Sequence, residues 1–168
     1  MTLRLILTRH AKSSWDDPFA EDHARVLNAR GRASATAIGK WLASNGYLPR
    51  EVLCSDAART AETWALIAAE LPDPPGEEYF HRLYHAPATR MLATLAMAGA
   101  DTVLMVGHNP GIGDFASGLP ATPPAHPRFF DYPTAATAIF DFDADSWADV
   151  RPGTGQVVDF TTPRDLIG

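Results

Sequence analysis

Two histidines and two arginines stand where this chain could do chemistry. Arg9-His10 follows the apolar run Leu3–Thr8, and His108 follows the apolar run Thr102–Val106 within Gly107-His108-Asn109-Pro110-Gly111. Between them, Ser55 closes a third short apolar run, Glu51–Ser55, and Arg59 opens the helical segment after it. Guanidinium forks grip several oxygens of a tetrahedral anion. A neutral imidazole can attack phosphorus, and a second, protonated imidazole can stabilise the oxygens as charge redistributes. Arg9 is expected to hold phosphate and to help keep His10 unprotonated. An unperturbed histidine titrates near ~6.5, so a modest push from neighbouring cations suffices near neutral pH.

These residues work together only if the fold brings the strand ends together. The short apolar runs at Leu3–Thr8, Glu51–Ser55 and Thr102–Val106 read as buried strands. Helical stripes alternate with them. Ser34–Asn45 carries Ile38 and Leu42, with Gly46 as its stop; Thr60–Leu71 carries Trp64, Ile67, Ala68 and Leu71; a third helix is opened by Pro87, buries Met91, Leu92 and Leu95, and is closed by Gly99. A fourth helix starts near Ile112. Ala136–Phe142 and Gln156–Phe160 add two late strands. The expected architecture is a three-layer α/β sandwich, a mostly parallel central sheet with helices on both faces and an antiparallel edge. In such sheets ligands sit at the carboxyl ends of the strands.

The rest of the chain is less regular. Lys12–Arg30 is polar, with Trp15 and Phe19 as its expected anchors, and Pro72–Glu78 is a Pro/Gly/acid connection. Pro120–Pro133 holds five prolines and is expected to be a stiff surface loop.

Composition narrows the function classes. The 168 residues suit one domain, 1–168, with one sizeable core. A net charge of −6 disfavours generic binding to nucleic acid or anionic membrane. No apolar run is long enough to span a bilayer, and Arg4 interrupts any signal-peptide core, so a cytoplasmic protein is expected. The single cysteine, Cys54, agrees with a reducing compartment. Of the 14 basic residues only Lys12 and Lys40 are lysines, which fits arginine clamping of an anion as well as codon bias. There is no phosphate-binding Walker loop, no dense carboxylate cluster for magnesium and no zinc-type His-x-x-x-His, so no cofactor or metal is expected. His23, His81 and His126 read as surface or packing residues.

At this point the motifs resemble a family. Arg9-His10-Ala11 resembles the Arg-His-Gly signature of the histidine phosphatase superfamily, which includes the phosphoglycerate mutases. Leu27-Asn28-Ala29-Arg30-Gly31 is similar to its Leu-Thr-x-x-Gly stretch. Ser55 to Thr63 is similar to its Ser-x-x-x-Arg-x-x-x-Thr segment, and Val106-Gly107-His108-Asn109 to its second-histidine motif. The short length, Gly-His-Asn-Pro-Gly and Tyr-Pro-Thr-Ala-Ala look most like the phosphohistidine phosphatases of the SixA type. The resemblance implies that His10 is the nucleophile, reacting through its distal nitrogen, and that Arg9, Arg59 and His108 form the phosphate pocket. Ser13, Asp16, His85 and Asn109 are further candidates for substrate contact.

The chain departs from the pattern in three places. Ala11 replaces the signature glycine. Asp16 stands where mutases carry a phosphate-binding Asn, and a carboxylate there repels phosphate unless it turns away. The family's acid glutamate, in a Leu-x-Glu context, has no counterpart in Leu83-Tyr84-His85. Such acid catalysis is worth about 10²–10⁴ in ester cleavage. Phosphoramidate cleavage needs it less, because solvent can protonate the departing imidazole. The missing acid therefore favours phosphohistidine on a protein over a small phosphorylated metabolite. His85, Asp16 or Asp17 are the candidates for a replacement acid, and a non-catalytic phosphate-binding module is the reading from another class.

Overall fold

A computed structural model describes all 168 residues. Six strands form one sheet: β1 (Thr2–Arg9), β2 (Glu51–Ser55), β3 (Glu77–Phe80), β4 (Thr102–Gly107), β5 (Thr137–Asp143) and β6 (Gln156–Thr161). Their order is β3-β2-β4-β1-β5-β6. β3, β2, β4 and β1 pair in parallel, whereas β5 runs antiparallel to both β1 and β6. The expected mixed α/β sandwich is what forms.

Alternation along β1 shows why both faces need covering. Leu3, Leu5 and Leu7 pack in one core with Met91 and Leu95 of α3 (Ala88–Leu95) and Ile112 and Phe115 of α4 (Gly111–Gly118). Ile6 points the other way. It joins Ile38 and Leu42 of α1 (Ala29–Ser44) and Trp64 and Ile67 of α2 (Ala58–Ala68). Each such buried side chain contributes about 1.5–3 kcal/mol of transfer free energy. No helix is long and apolar enough to cross a membrane.

Several expectations need correction. α1 starts five residues before Ser34, because Asn28 caps it by accepting from the Gly31 N–H at 2.8 Å. Glu77–Phe80 is a strand, not a connection. It is an edge strand, its residues largely exposed, so it carries no apolar signal. A short helix α5 (Pro163–Ile167) follows β6, opened by a Thr162/Asp165 capping box. Trp15 and Phe19 anchor nothing in the core: they are 77% and 92% exposed. The end of Pro120–Pro133 is not a surface loop, since Phe129 and Tyr132 are buried and Tyr132 Oη donates to the Leu7 carbonyl at 2.5 Å.

Candidate active site

Sheet order makes the site. β1 and β4 are neighbours in register, Arg9 beside Gly107, and the His10 N–H donates to the Gly107 carbonyl at 3.1 Å. The next residue on each strand is a histidine, so the rings of His10 and His108 lie 5.3 Å apart. β2 flanks β4 on its other side and delivers Ser55, which is hydrogen-bonded to His108 Nε2 at 2.7 Å. The α2 start then carries Arg59 into the same place.

The resulting cavity, about 360 Å³, is lined by Arg9, His10, Lys12, Ser13, Trp15, Asp22, Arg25, Arg59, His85, His108, Asn109 and Thr134. Four cations therefore face one carboxylate. The two buried side-chain polar atoms without a partner, Arg9 Nε and His108 Nδ1, both belong to this lining. Buried polar groups are normally paired, so the polar imbalance of the fold is concentrated here.

His10 is held in one tautomer. Its Nδ1–H donates to the Ala11 carbonyl at 2.7 Å, which leaves the Nε2 lone pair free. The Ala11 N–H donates to Thr63 Oγ1 at 2.9 Å, and Thr63 in turn donates to the Arg59 carbonyl at 2.7 Å. The nucleophile candidate and the phosphate-clamp candidate are thus tied to each other through α2. Burial first, and then the charges of Arg9, Arg59 and Arg25, push the His10 imidazole down to about 3 against the pull of its Ala11 bond. It is neutral at physiological pH.

His108 departs from expectation. Burial, then His10, Arg59 and His85, push it down to about 2, so it is neutral rather than protonated. A bound phosphoryl dianion reverses that field and favours the imidazolium.

Asp22 was missed in the sequence, where Asp16 and Asp17 drew attention instead. Asp16 does not line the cavity; its backbone N–H donates to Ser14 Oγ at 3.0 Å, out on the exposed part of the loop. Asp22 enters because Ser13 and Leu27 pair as an antiparallel bridge, pinning both ends of the loop and folding its middle over the strand ends. Its Oδ2 accepts from Arg59 Nη2 at 3.0 Å, from His85 Nε2 at 2.9 Å and from the Tyr84 hydroxyl. Desolvation raises its pKa, but the bonds from Tyr84, Arg59 and His85 outweigh that and hold it well below the usual carboxylate range.

The remaining candidates have mixed placements. Ser13 is buried and accepts from Arg25, whose guanidinium lies over the Trp15 ring at 3.3 Å from its centre. Asn109 lines the cavity but spends its polar atoms on structure: it accepts from the Gly113 N–H at 3.0 Å and donates to the Asp131 and Tyr132 carbonyls at 3.0 and 3.1 Å. His23 and His81, expected as surface or packing residues, share Asp56, at 2.7 Å and 3.1 Å, with the polar atoms of the three all within 4.8 Å. His126 is paired with Asp165 at 2.8 Å.

Comparison with known proteins supplies the family. Residues 5–81 match the model of the histidine phosphatase superfamily, branch 1. An uncharacterized protein of Mycobacterium tuberculosis, Rv1276c, is 34% identical over 163 residues, covering 93% of this chain and 99% of that one. The chain belongs to the histidine phosphatase superfamily. It is of the SixA type: the SixA structure from Nakamurella multipartitia superposes with a TM-score of 0.79 at 29% identity, covering 97% of each chain. The fold is shared more widely, since a mycobacterial glucosyl-3-phosphoglycerate phosphatase superposes with a TM-score of 0.64 at 17% identity, covering 95% of this chain and 98% of that one. Membership and the SixA likeness support a phosphatase, and Arg9, His10, Arg59 and His108 line one cavity.

Proposed function

We propose that this phosphatase hydrolyses phosphohistidine on a protein, by way of a covalent phosphohistidine at His10. His10 Nε2 attacks phosphorus while Arg9, Arg59 and His108 hold the phosphoryl oxygens. The P–N bond of the substrate breaks as the new P–Nε2 bond forms, and the departing imidazole takes a proton from solvent. Water then attacks phosphorus, the P–Nε2 bond breaks, and inorganic phosphate leaves with neutral His10 restored. Positive charge in the cavity comes from Arg9, Lys12, Arg25 and Arg59, so the step needs no metal ion.

The observation that carries this reading is Asp22. It is the one carboxylate lining the cavity, and its partners keep it ionised. An ionised carboxylate has no proton to give to an alkoxide. A site built this way favours a leaving group that solvent can protonate, and imidazole is one. The exposed Trp15 at the cavity rim suits a protein substrate, because aromatic side chains of this kind anchor protein interfaces.

One observation favours a small phosphoester instead. His85 lines the cavity with its Nε2–H on Asp22, an arrangement able to hand on a proton. The test is kcat/KM for a histidine-phosphorylated protein against an aryl phosphate ester, in chelator, with His10→Ala as control. The expected result is a preference for phosphohistidine of about a hundredfold or more, abolished in the variant. Equal or better ester turnover would transfer the assignment to a small metabolite with His85 as acid.

A further inference from the structure

A second cavity, about 300 Å³, adjoins the first and shares Lys12 and Thr134 with it. Lys12, Arg30, Arg128 and Arg164 line it, and no carboxylate does. The two cavities together gather seven cations, four in each with Lys12 common to both. That is half of the 14 in a chain whose net charge is −6. Scattered surface charge does not produce such a concentration around one carboxylate.

Two details show that this cup is not neutralised within the chain. Lys12, Arg30 and Arg164 form no ion pair within the chain, and only Arg128 does, with Asp131 at 2.9 Å. The neighbouring carboxylate, Asp165, is spent on His126 at 2.8 Å and on the α5 cap. At the wall of the cup stands the Ser34 side chain. A hydroxyl at the foot of several unpaired cations is a place for oxyanion oxygens.

We propose that this cup docks acidic side chains of the phosphorylated partner protein while its phosphohistidine enters the neighbouring cavity. The inference rests on the phosphohistidine reading and gives that partner a chemistry: Asp or Glu side chains close to the phosphorylated histidine. Several carboxylates, rather than one compact ion, match four cations mounted on long exposed side chains. The exposed Phe130, two residues from Arg128, supplies an apolar contact beside the charges. Docking of this kind acts on encounter and on KM, and weakens as salt rises.

Two phosphohistidine peptides, one with Glu flanks and one with Gln flanks, test it alongside phosphoramidate, which has no group to reach the cup. The wild type should favour the Glu peptide by about tenfold or more in kcat/KM, through KM, with the preference shrinking in salt. Arg30→Glu combined with Arg164→Glu should erase the preference and leave phosphoramidate turnover intact. Arg90→Glu, a charge reversal in α3 that lines neither cavity, should change nothing. Equal turnover of the two peptides overturns the proposal, as does an equal effect of Arg90→Glu. So does a defect of the double variant confined to a small bisphosphate, which would give the cup to a metabolite.

Binding of the unphosphorylated Glu peptide, followed by fluorescence anisotropy, decides independently of turnover. Loss of binding in the double variant upholds the cup, and retention overturns it. A wild type inactive on every P–N substrate would instead defeat the phosphohistidine reading, with the anisotropy result still deciding the docking.

Discussion

Asp22 Oδ2 lies 3.0 Å from Arg59 Nη2, and the Asp22 carbonyl accepts from Arg59 Nη1 at 2.6 Å, so one residue occupies both arms of the guanidinium that should clamp phosphate. The carboxylate acts as a resident anion. It holds Arg59 in position and competes with an arriving phosphoryl group for the same fork. Asp22→Asn keeps an acceptor for Arg59 and removes the charge. Inorganic phosphate and vanadate should then inhibit more strongly, with Ki lowered about three- to tenfold, a modest factor because the carboxylate is partly solvated and screened. Inhibition titrations at constant ionic strength check this. A raised Ki would mean that the carboxylate organises the clamp more than it opposes the ligand.

His85 and Tyr84 share the same carboxylate, and they separate the two kinds of leaving group. Burial, then the hydrogen bond to Asp22 and its charge, raise the Tyr84 hydroxyl above its ordinary value, which keeps it protonated. If His85 hands a proton to an ester oxygen, His85→Ala should lower ester kcat about 10²-fold or more and leave phosphohistidine turnover within a few-fold. If ester turnover is instead untouched, His85 only positions Asp22. Comparing kcat on the two substrates, with Tyr84→Phe alongside, reads the difference.

Much of this site was legible in the sequence, for a physical reason. His10, Ser55 and His108 end apolar runs, and the rule that parallel strands present ligands at their carboxyl ends places such residues together without any knowledge of the loops. Asp22 was not legible. Its position depends on the Ser13–Leu27 bridge, a contact between residues that carry no periodic signal. Trp15 misled because an aromatic residue in a polar stretch suggests an anchor, whereas here its ring lies beneath Arg25 at the surface. The edge strand β3, Glu77–Phe80, was invisible because its one partner, β2, supplies main-chain bonds on one side only, with little apolar burial. The short α5 did carry a signal, the Thr162-Pro163-Arg164-Asp165 cap. The cationic cup needs that helix, since Arg164 comes from it.

The two depressed imidazoles set a pH dependence of stability. His10 is pushed down to about 3 and His108 to about 2, in both cases by burial first and by neighbouring positive groups after it. In the unfolded chain both titrate near ~6.5. Between these values the unfolded state binds more protons, so stability rises with pH across that window. The contribution is complete above the unfolded value and is lost as pH falls toward the folded ones. Denaturant midpoints should therefore drop as pH is lowered from about 7 to 4.5, above the range where carboxylates such as Asp22 and Asp56 add their own loss. His10→Gln and His108→Gln should each make that slope shallower, by up to about one proton. An unchanged slope in both variants would mean that neither ring is held neutral.

Gly31 links the loop motif to the catalytic strand. A Cβ placed on it would sit 2.0 Å from the Lys12 carbonyl oxygen, which also accepts from the Asn28 N–H at 3.1 Å. The contact is with backbone, so no side chain can swing aside, and Lys12 is two residues from His10. Gly31→Ala should push the Lys12 segment away, destabilising the fold by about 2–4 kcal/mol and lowering kcat/KM with it. Gly118, by contrast, has open space around its would-be Cβ at the end of α4. Gly118→Ala should be neutral or stabilising, by up to about 1 kcal/mol, because alanine loses less chain entropy in a helix. Chemical denaturation and activity measured on the two variants separate the cases. A Gly31→Ala protein with wild-type stability and turnover would show that α1 does not press on the His10 segment, and that the motif glycine serves the helix alone.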